Sequence, residues 1–159
     1  SDNSTEISIF YSRIYVTINF DKRGGAGGCE STSGLYGSYI HIRYSDVRKE
    51  GYDFVGWSEP ISDYYEKDMN VYAIWKPKQY TITFDYEMSM SSLLGDHPSS
   101  KSVTYMEEYG TLPWPSTGNG IRFEYWSSDR SGISEIRSDD IYDIAGDTTL
   151  YAIWENNDD

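Results

Sequence analysis

Residues 71–75 read Val-Tyr-Ala-Ile-Trp, and residues 150–154 read Leu-Tyr-Ala-Ile-Trp. Two earlier blocks recur in the same order. Thr-Ile-Asn-Phe-Asp at 17–21 returns as Thr-Ile-Thr-Phe-Asp at 81–85, and Gly-Tyr-Asp-Phe-Val-Gly-Trp at 51–57 returns as Gly-Ile-Arg-Phe-Glu-Tyr-Trp at 120–126. Chance can supply one such pair, but three pairs in a single order indicate an internal repeat.

The repeat divides the chain into five segments. They are a lead-in (1–14), repeat domain 1 (15–76), a linker (77–79), repeat domain 2 (80–155) and an acidic tail (156–159). The second copy is longer by about 5 residues before its middle block and about 10 after it, which are insertions that surface loops tolerate. The lead-in, where Ile7, Ile9 and Tyr11 alternate weakly, is either a flexible segment or an extra edge strand.

The three blocks predict strands. Val16, Ile18 and Phe20 alternate with polar residues, as in a half-buried strand, and the block at 81–85 repeats this pattern. The block at 71–75 is apolar on both faces and predicts a central or doubly covered strand. Alternation at 39–44 predicts a further strand, with 102–105 as its weaker counterpart in the second copy.

Glycine and polar residues separate these segments. Turns are predicted at 24–28, 118–120 and 145–147. Helical patterns are weak: isoleucines at 133, 136, 141 and 144 could line one face of a short helix, although the polar run at 138–140 fits a loop equally well.

Composition excludes several classes of function. The 159 residues include 26 acidic and 13 basic side chains, for a net charge of -13, which repels nucleic acid and anionic membrane surfaces. No apolar stretch approaches the roughly 20 residues of a membrane helix, so membrane insertion is not expected. One cysteine and two histidines leave little for disulfide, metal or histidine chemistry, and we expect no cofactor.

The charge is divided unevenly between the copies. Residues 80–159 carry 15 acidic and 4 basic side chains, whereas residues 15–79 carry 9 and 8. A shared fold does not require this difference. We therefore expect electrostatic interactions to map to the second copy and to weaken with salt.

The ordered blocks resemble the Listeria–Bacteroides repeat, also called the internalin B-repeat, over roughly residues 15–155. The resemblance implies an α+β, mainly β fold of two small β-grasp-like domains in tandem. It also implies modules of large bacterial cell-surface or secreted proteins, where such repeats act as spacers or adhesive segments. The family offers no catalytic residues. Its motif residues are expected in or near the cores: Phe20, Phe54, Trp57, Trp75, Phe84, Phe123, Trp126 and Trp154.

Each copy departs from the family pattern. The second copy has Ile121 and Tyr125 where the family favours Tyr and Gly. The first copy has Arg-Tyr-Ser-Asp at 43–46 where a Leu-Pro-x-Pro segment is expected, whereas the second copy has Tyr-Gly-Thr-Leu-Pro-Trp-Pro at 109–115. These departures affect the expected loops more than the expected fold.

Four candidate sites have simpler explanations. The glycines at 24–28 could cradle a phosphate, but an acidic segment follows them instead of a helix start, so a hairpin loop is favoured. Adjacent residues of a strand point to opposite faces, so Glu107 and Glu108 are not expected to face each other across a cleft as a catalytic pair does, and surface charge is favoured. Cys29 lacks a partnering histidine and reads as a free loop thiol beside Glu30. Carboxylates at Asp139, Asp140, Asp143 and Asp147 lack the alternate spacing of a calcium loop and fit a solvated acidic loop.

Trp114 and Tyr109 are the candidate contacts for a ligand or partner. Trp114 lies between Pro113 and Pro115, where a strand interior cannot form, so its ring is expected to project from a loop. Exposed rings can stack on sugars, but we favour packing against the surface between the copies. The sequence thus predicts a non-enzymatic tandem repeat at the bacterial cell surface, with an unknown protein or glycan as its partner. The alternative is a carbohydrate-binding module of a secreted protein.

Overall fold

A computed structural model describes residues 4–9 and 11–156. The chain divides into two compact units. The first takes in the chain up to Lys49 together with Phe54–Trp75, and the second takes in Glu50–Asp53 together with the chain from Lys76 onward. Each has its own hydrophobic core.

The first copy contains six strands: β1 (Tyr15–Asp21), β2 (Ala26–Gly27), β3 (Ser31–Leu35), β4 (Val47–Arg48), β5 (Tyr52–Trp57) and β6 (Met69–Pro77). Four of them form a sheet in the order β3-β1-β6-β5. Strands β2 and β4 form a separate two-stranded ribbon. Strand β1 is antiparallel to β3 and parallel to β6, so the sheet is mixed.

The strands of the second copy are β7 (Gln79–Asp85), β8 (Leu93–Leu94), β9 (Ser100–Thr104), β10 (Ser116–Thr117), β11 (Ile121–Ser127), β12 (Glu135–Ile136) and β13 (Thr148–Asn156). Its sheet repeats the arrangement of the first copy with one more strand, in the order β12-β11-β13-β7-β9. Strands β8 and β10 pair separately. Here β7 is antiparallel to β9 and parallel to β13. Helix in the described residues is limited to the 3₁₀ turn Met90–Ser92.

Alternating side chains of the first and last strands enter each core. In the first copy Ile18 and Phe20 of β1 meet Val71 of β6, and in the second copy Ile82 and Phe84 of β7 meet Leu150 of β13; all are at most 5% exposed. Six of the motif aromatics lie in or against these cores, while Phe54 contacts the rings of Trp57 and Trp75. Burial of such large rings supplies much of the stabilisation available to domains of this size.

Several sequence predictions are confirmed. The mainly β architecture in two tandem sheets is present, and the blocks at 17–21, 71–75, 81–85 and 150–154 are strands. Strand β6 is central in its sheet, but Tyr72 and Ile74 are 43% and 42% exposed. The doubly covered alternative for this strand is therefore wrong, since one face of the sheet stays open to solvent.

The predicted strand at 39–44 is wrong. Tyr39 forms only an isolated bridge with Tyr64, while the next residue, Ile40, is buried and donates its N–H to Asp63 O at 2.8 Å. Ile42 is exposed, so the apolar alternation does not correspond to a buried face. The strand beside β1 is instead β3, whose sequence Ser-Thr-Ser-Gly-Leu carries little β propensity.

Three further predictions concern the strand at 102–105, the isoleucines at 133–144 and the lead-in. Strand β9 occupies the predicted 102–105 region, but it corresponds to β3, because each pairs antiparallel with the first strand of its copy. The helix alternative for the 133–144 isoleucines is wrong: Ile136 lies in β12, Ile141 forms an isolated bridge, and the rest of the stretch is turns and loops. The described residues of the lead-in, 4–9 and 11–14, contain no strand, while Phe10 and residues 1–3 lie outside the described part.

Candidate functional site

An aspartate at the same position in both copies adds a hydrogen bond between the parallel first and last strands of its repeat. Asp68 and Asp147 each stand three residues before the Val/Leu-Tyr-Ala-Ile-Trp block. Asp68 Oδ1 accepts the N–H of Thr17 at 2.7 Å, and Asp147 Oδ1 accepts the N–H of Thr81 at 2.8 Å. Asp147 is thus a structural residue of the sheet. The repeated spacing was a signal that sequence reasoning missed.

An aspartate turn redirects the chain at the end of the first strand in both copies. Asp21 Oδ1 accepts the N–H of Arg23, and Asp85 Oδ1 accepts the N–H of Glu87, both at 2.9 Å. Arg23 and Glu87 adopt positive φ angles of 49° and 54°. Such aspartate turns stabilise a backbone that ordinary side chains rarely adopt.

The closing tryptophans lock the same turn in each copy. Trp75 Nε1 donates to Lys22 O at 2.8 Å, and Trp154 Nε1 donates to Tyr86 O at 2.9 Å. The tryptophans that end the middle block, Trp57 and Trp126, differ in the hydrogen bonding of their indole N–H groups. Trp126 Nε1 donates to Pro113 O at 2.7 Å, whereas Trp57 Nε1 is buried and has no hydrogen-bond partner among the described residues. The Leu-Pro-x-Pro segment that supplies the acceptor exists only in the second copy.

Tyr109 does not lie at the surface. Its ring is 4% exposed and packs edge-on against Tyr142 with centroids 5.2 Å apart. Its N–H donates to Asp140 O at 2.9 Å, as that of Ile40 does to Asp63 in the first copy. Burial raises the pKa of Tyr109. Its assignment as a ligand contact is therefore not supported by its position, because the ring is part of the core.

Trp114 projects as predicted. Its side chain is 70% exposed, and it meets Phe123 edge-on with ring centroids 4.9 Å apart. The adjacent Pro115 is fully buried and fixes the loop on its C-terminal side. The tryptophan is therefore an exposed ring that packs on Phe123 and is followed by a buried proline.

The loop that carries Trp114 is held by a lysine. Lys101 Nζ donates to Tyr109 O at 2.6 Å and to Thr111 O at 2.9 Å. Burial lowers the pKa of this ammonium group. Lys101 thus fixes the loop backbone by capping two carbonyls, a role that sequence reasoning missed because nothing in its neighbourhood repeats in the first copy.

Trp114 separates two depressions on the second unit. The larger is an open groove of about 750 Å³ between the 110–114 loop and strands β11 and β12. The smaller, about 370 Å³, includes Phe84, Pro98 and Lys101. The larger groove is lined by four carboxylates: Glu108, Glu124, Glu135 and Asp139. The guanidinium in its lining is that of Arg137, which forms an ion pair with Glu135 at 3.1 Å. The arrangement presents an aromatic platform in an acidic setting.

The turn beside this groove is organised by Asp129. Its carboxylate accepts hydrogen bonds from the Ser131 hydroxyl and N–H, from the Ser134 N–H at 2.9 Å and from the Ile133 N–H at 3.3 Å. These donors, the Ser131 hydroxyl foremost, hold the pKa of Asp129 well below its ordinary value. The turn sets β12 against β11 and so shapes one wall of the groove.

The remaining candidate residues from the sequence analysis lie in chain connections, against the core or in local pairings. The glycines at 24–28 lie in the β1–β3 connection, with Ala26 and Gly27 forming β2. Cys29 is half-buried against the first core, and desolvation raises its pKa, with a smaller contribution from Glu30. Glu108 forms an isolated bridge with Ile141, and Asp140 accepts the Arg137 N–H at 2.7 Å. No group of three or more potential metal ligands occurs within the described part of the chain.

The model of the Listeria–Bacteroides repeat domain matches residues 17–74 and again residues 80–153. The chain belongs to the Listeria–Bacteroides repeat family. The two matches coincide with the two sheets, so each sheet is one Listeria–Bacteroides repeat. The residues that recur structurally, including Asp68 and Asp147, are part of the framework of this repeat.

Two relatives of the chain come from Evansella cellulosilytica. One, named "Putative Gly-rich membrane protein", is 28% identical over 96% of this chain. The other, named "Putative membrane protein", is 28% identical over 99% of this chain. The chain spans only 18% and 23% of the lengths of these proteins. None of the helical segments in residues 4–9 and 11–156 is long and apolar enough to cross a membrane.

Proposed function

We propose that this chain is a non-enzymatic repeat module of a bacterial cell-surface protein, acting as a spacer or protein-interaction segment. The observation that carries the proposal is the tandem family match over the two β-sheets of this chain. Two relatives, named as membrane proteins, are about four to six times as long as the chain. Modules of this kind extend a protein by repetition. The mixed sheet, with its first and last strands paired in parallel, also supports a β-grasp-like description.

Surface exposure of the parent protein tests this proposal. An antibody raised against the chain is applied to intact and to permeabilised cells of the source bacterium, with a cytoplasmic protein as the control. Equal labelling of intact and permeabilised cells is expected. Labelling that appears only after permeabilisation would reject the surface role.

A specific observation favours a second candidate, carbohydrate binding. The Trp114 ring is largely exposed, supported by Phe123 and flanked by carboxylates that can accept hydrogen bonds from sugar hydroxyls. Glycan-array binding of the chain is compared with that of Trp114→Ala and of Tyr36→Ala, whose ring is similarly exposed but lies in the first repeat. Loss of signal in Trp114→Ala alone supports this candidate, and equal signals for all three proteins reject it.

A further inference from the structure

The first and last strands of each repeat are parallel neighbours. Strands β1 and β6 pair from Ile18↔Met69 to Asp21↔Tyr72, and β7 and β13 pair from Ile82↔Thr148 to Asp85↔Tyr151. In a parallel pair both strands run in the same direction. The chain therefore enters each repeat at one end of the paired stretch and leaves it at the other.

This arrangement determines how a pulling force acts. Tension applied through the chain ends pulls the first strand backward and the last strand forward, along the strand axes. The hydrogen bonds between them lie across this direction and share the force, so they must fail together. We propose that each repeat is a mechanical clamp that resists unfolding when the protein is stretched from its ends. Its biological use rests on the proposed surface role, since a surface protein that contacts a partner is placed under tension.

Side chains lengthen both clamps. The Asp68 and Asp147 carboxylates add one rung each, at the beginning of the parallel ladder. In the first repeat Asn19 Nδ2 also donates to Asn70 Oδ1 at 2.9 Å across the same strand pair. The rung supplied by aspartate is present in both repeats although the neighbouring residues differ.

The core protects the rungs from water on one face. Ile18 and Val71 are buried beneath the first clamp, and Ile82, Phe84 and Leu150 lie beneath the second. A backbone hydrogen bond breaks more slowly where water cannot replace it, because an unpaired buried group costs about 1–3 kcal/mol. Each clamp thus lies over buried side chains of its own core.

The chain between the clamps is short. Strand β6 ends at Pro77 and β7 begins at Gln79, which leaves Lys78 alone between them. Tension along the chain therefore passes from the last strand of one clamp to the first strand of the next through a single residue, and no long flexible linker takes up the extension.

Force spectroscopy on the full chain tests the clamp. The protein is stretched at constant force between handles fused to its two ends. Two unfolding steps are expected, one for each clamp. The clamped segments of about 55 and about 70 residues release roughly 190 and 250 Å of chain, which tells the repeats apart.

The unfolding rate of the second repeat under end-to-end force is compared with its rate under force applied in a second direction. In a Cys29→Ser background, handles are attached at Gln79→Cys and Gly146→Cys, which lie at the same end of β7 and β13. A Cβ at Gly146 meets no atom within 4 Å. Pulling here peels the strands apart one rung at a time. We expect the second repeat to unfold at least about tenfold more slowly from the chain ends than from these sites at the same force, equivalent to about 1.4 kcal/mol of barrier.

The added rung gives a second test. Asp147→Ala is expected to unfold about fivefold faster than the parent chain under end-to-end force. Asp139→Ala, a matched control on an exposed carboxylate, is expected to match the parent chain. Equal rates in the two pulling directions, or an Asp147→Ala rate equal to that of Asp139→Ala, would overturn the clamp. Neither result depends on where the parent protein resides, so this outcome is separable from failure of the surface proposal.

Discussion

At the scale of single residues, two tryptophans in the same motif position differ in one hydrogen bond. Trp126 donates to Pro113 O, while Trp57 has no partner among the described residues. We expect Trp126→Phe to destabilise the protein by about 1–2 kcal/mol more than Trp57→Phe, because both changes remove similar volume but only the first leaves a carbonyl unpaired. Urea unfolding of each full-length variant, followed by the remaining tryptophan fluorescence, measures the difference. Equal losses in the free energy of unfolding would show that the Trp126 hydrogen bond makes no net contribution to stability.

The Asp129 carboxylate supplies a pH-dependent prediction at the same scale. Hydrogen bonds from Ser131, Ser134 and Ile133 depress its pKa in the folded protein below the ordinary value of 3.8. A carboxylate with a depressed folded pKa contributes stability that is fully present above its unfolded pKa and is lost as the pH falls below it. We expect Asp129→Asn to be less stable than the parent at pH 6 and the gap to narrow below pH 4. Unfolding midpoints measured from pH 6 to pH 3 test this, and a gap independent of pH would contradict it.

At the scale of elements, strand β3 depends on the absence of one side chain. A Cβ at Gly34 would lie 2.2 Å from the Tyr65 ring, which packs directly over the strand. We expect Gly34→Ala to destabilise the first repeat by about 1–3 kcal/mol through overpacking. Gly118→Ala is the control, since the nearest atom to its Cβ is 3.8 Å away. Differential scanning calorimetry of both variants gives the comparison, and similar melting temperatures would show that Tyr65 moves aside without cost.

The same strand shows what the sequence could and could not predict about the fold. Blocks with strong apolar alternation, such as 16–20, identified their strands because half-buried strands impose that period. Ser-Thr-Ser-Gly-Leu carries no such pattern, since its place is set by β1 on one side and by Tyr65 above, both distant in sequence. The segment at 39–44 has the apolar alternation without a continuous buried face, because Ile40 is buried and Tyr44 packs against the core while Ile42 between them is exposed.

The candidate site was predictable to a similar extent. The two prolines around Trp114 restrict the backbone locally, and the exposure of the ring followed from them. Tyr109 lies only five residues away, but its ring is buried in the core against Tyr142, which is distant in sequence. Lys101 caps carbonyls of the 109–111 loop, and no pattern in the sequence indicates this contact. Asp147 accepts an amide of β7, and only the spacing that it shares with Asp68 could have indicated that role.

At the scale of the whole molecule, the division of charge predicts where a cationic partner binds. The second repeat carries most of the net charge of -13, and the groove beside Trp114 is lined by four carboxylates and one already paired arginine. We expect a fluorescent oligolysine peptide to bind the full chain, with an affinity that falls as salt rises toward 0.15 M, where the screening length is about 8 Å. Fluorescence anisotropy against salt concentration measures this.

Two charge-matched triple variants locate the oligolysine binding. Glu107→Gln, Asp139→Asn and Asp143→Asn together remove three exposed charges from the second repeat, and Asp46→Asn, Asp63→Asn and Glu66→Gln remove three from the first. Both proteins have the same net charge, so a purely global effect would weaken binding equally. We expect the variant of the second repeat to bind more weakly than that of the first, because opposite charges attract most strongly where like charges are concentrated. Equal affinities would mean that net charge alone governs the interaction, and weaker binding by the variant of the first repeat would place the contact on the nearly neutral repeat, contrary to the charge distribution.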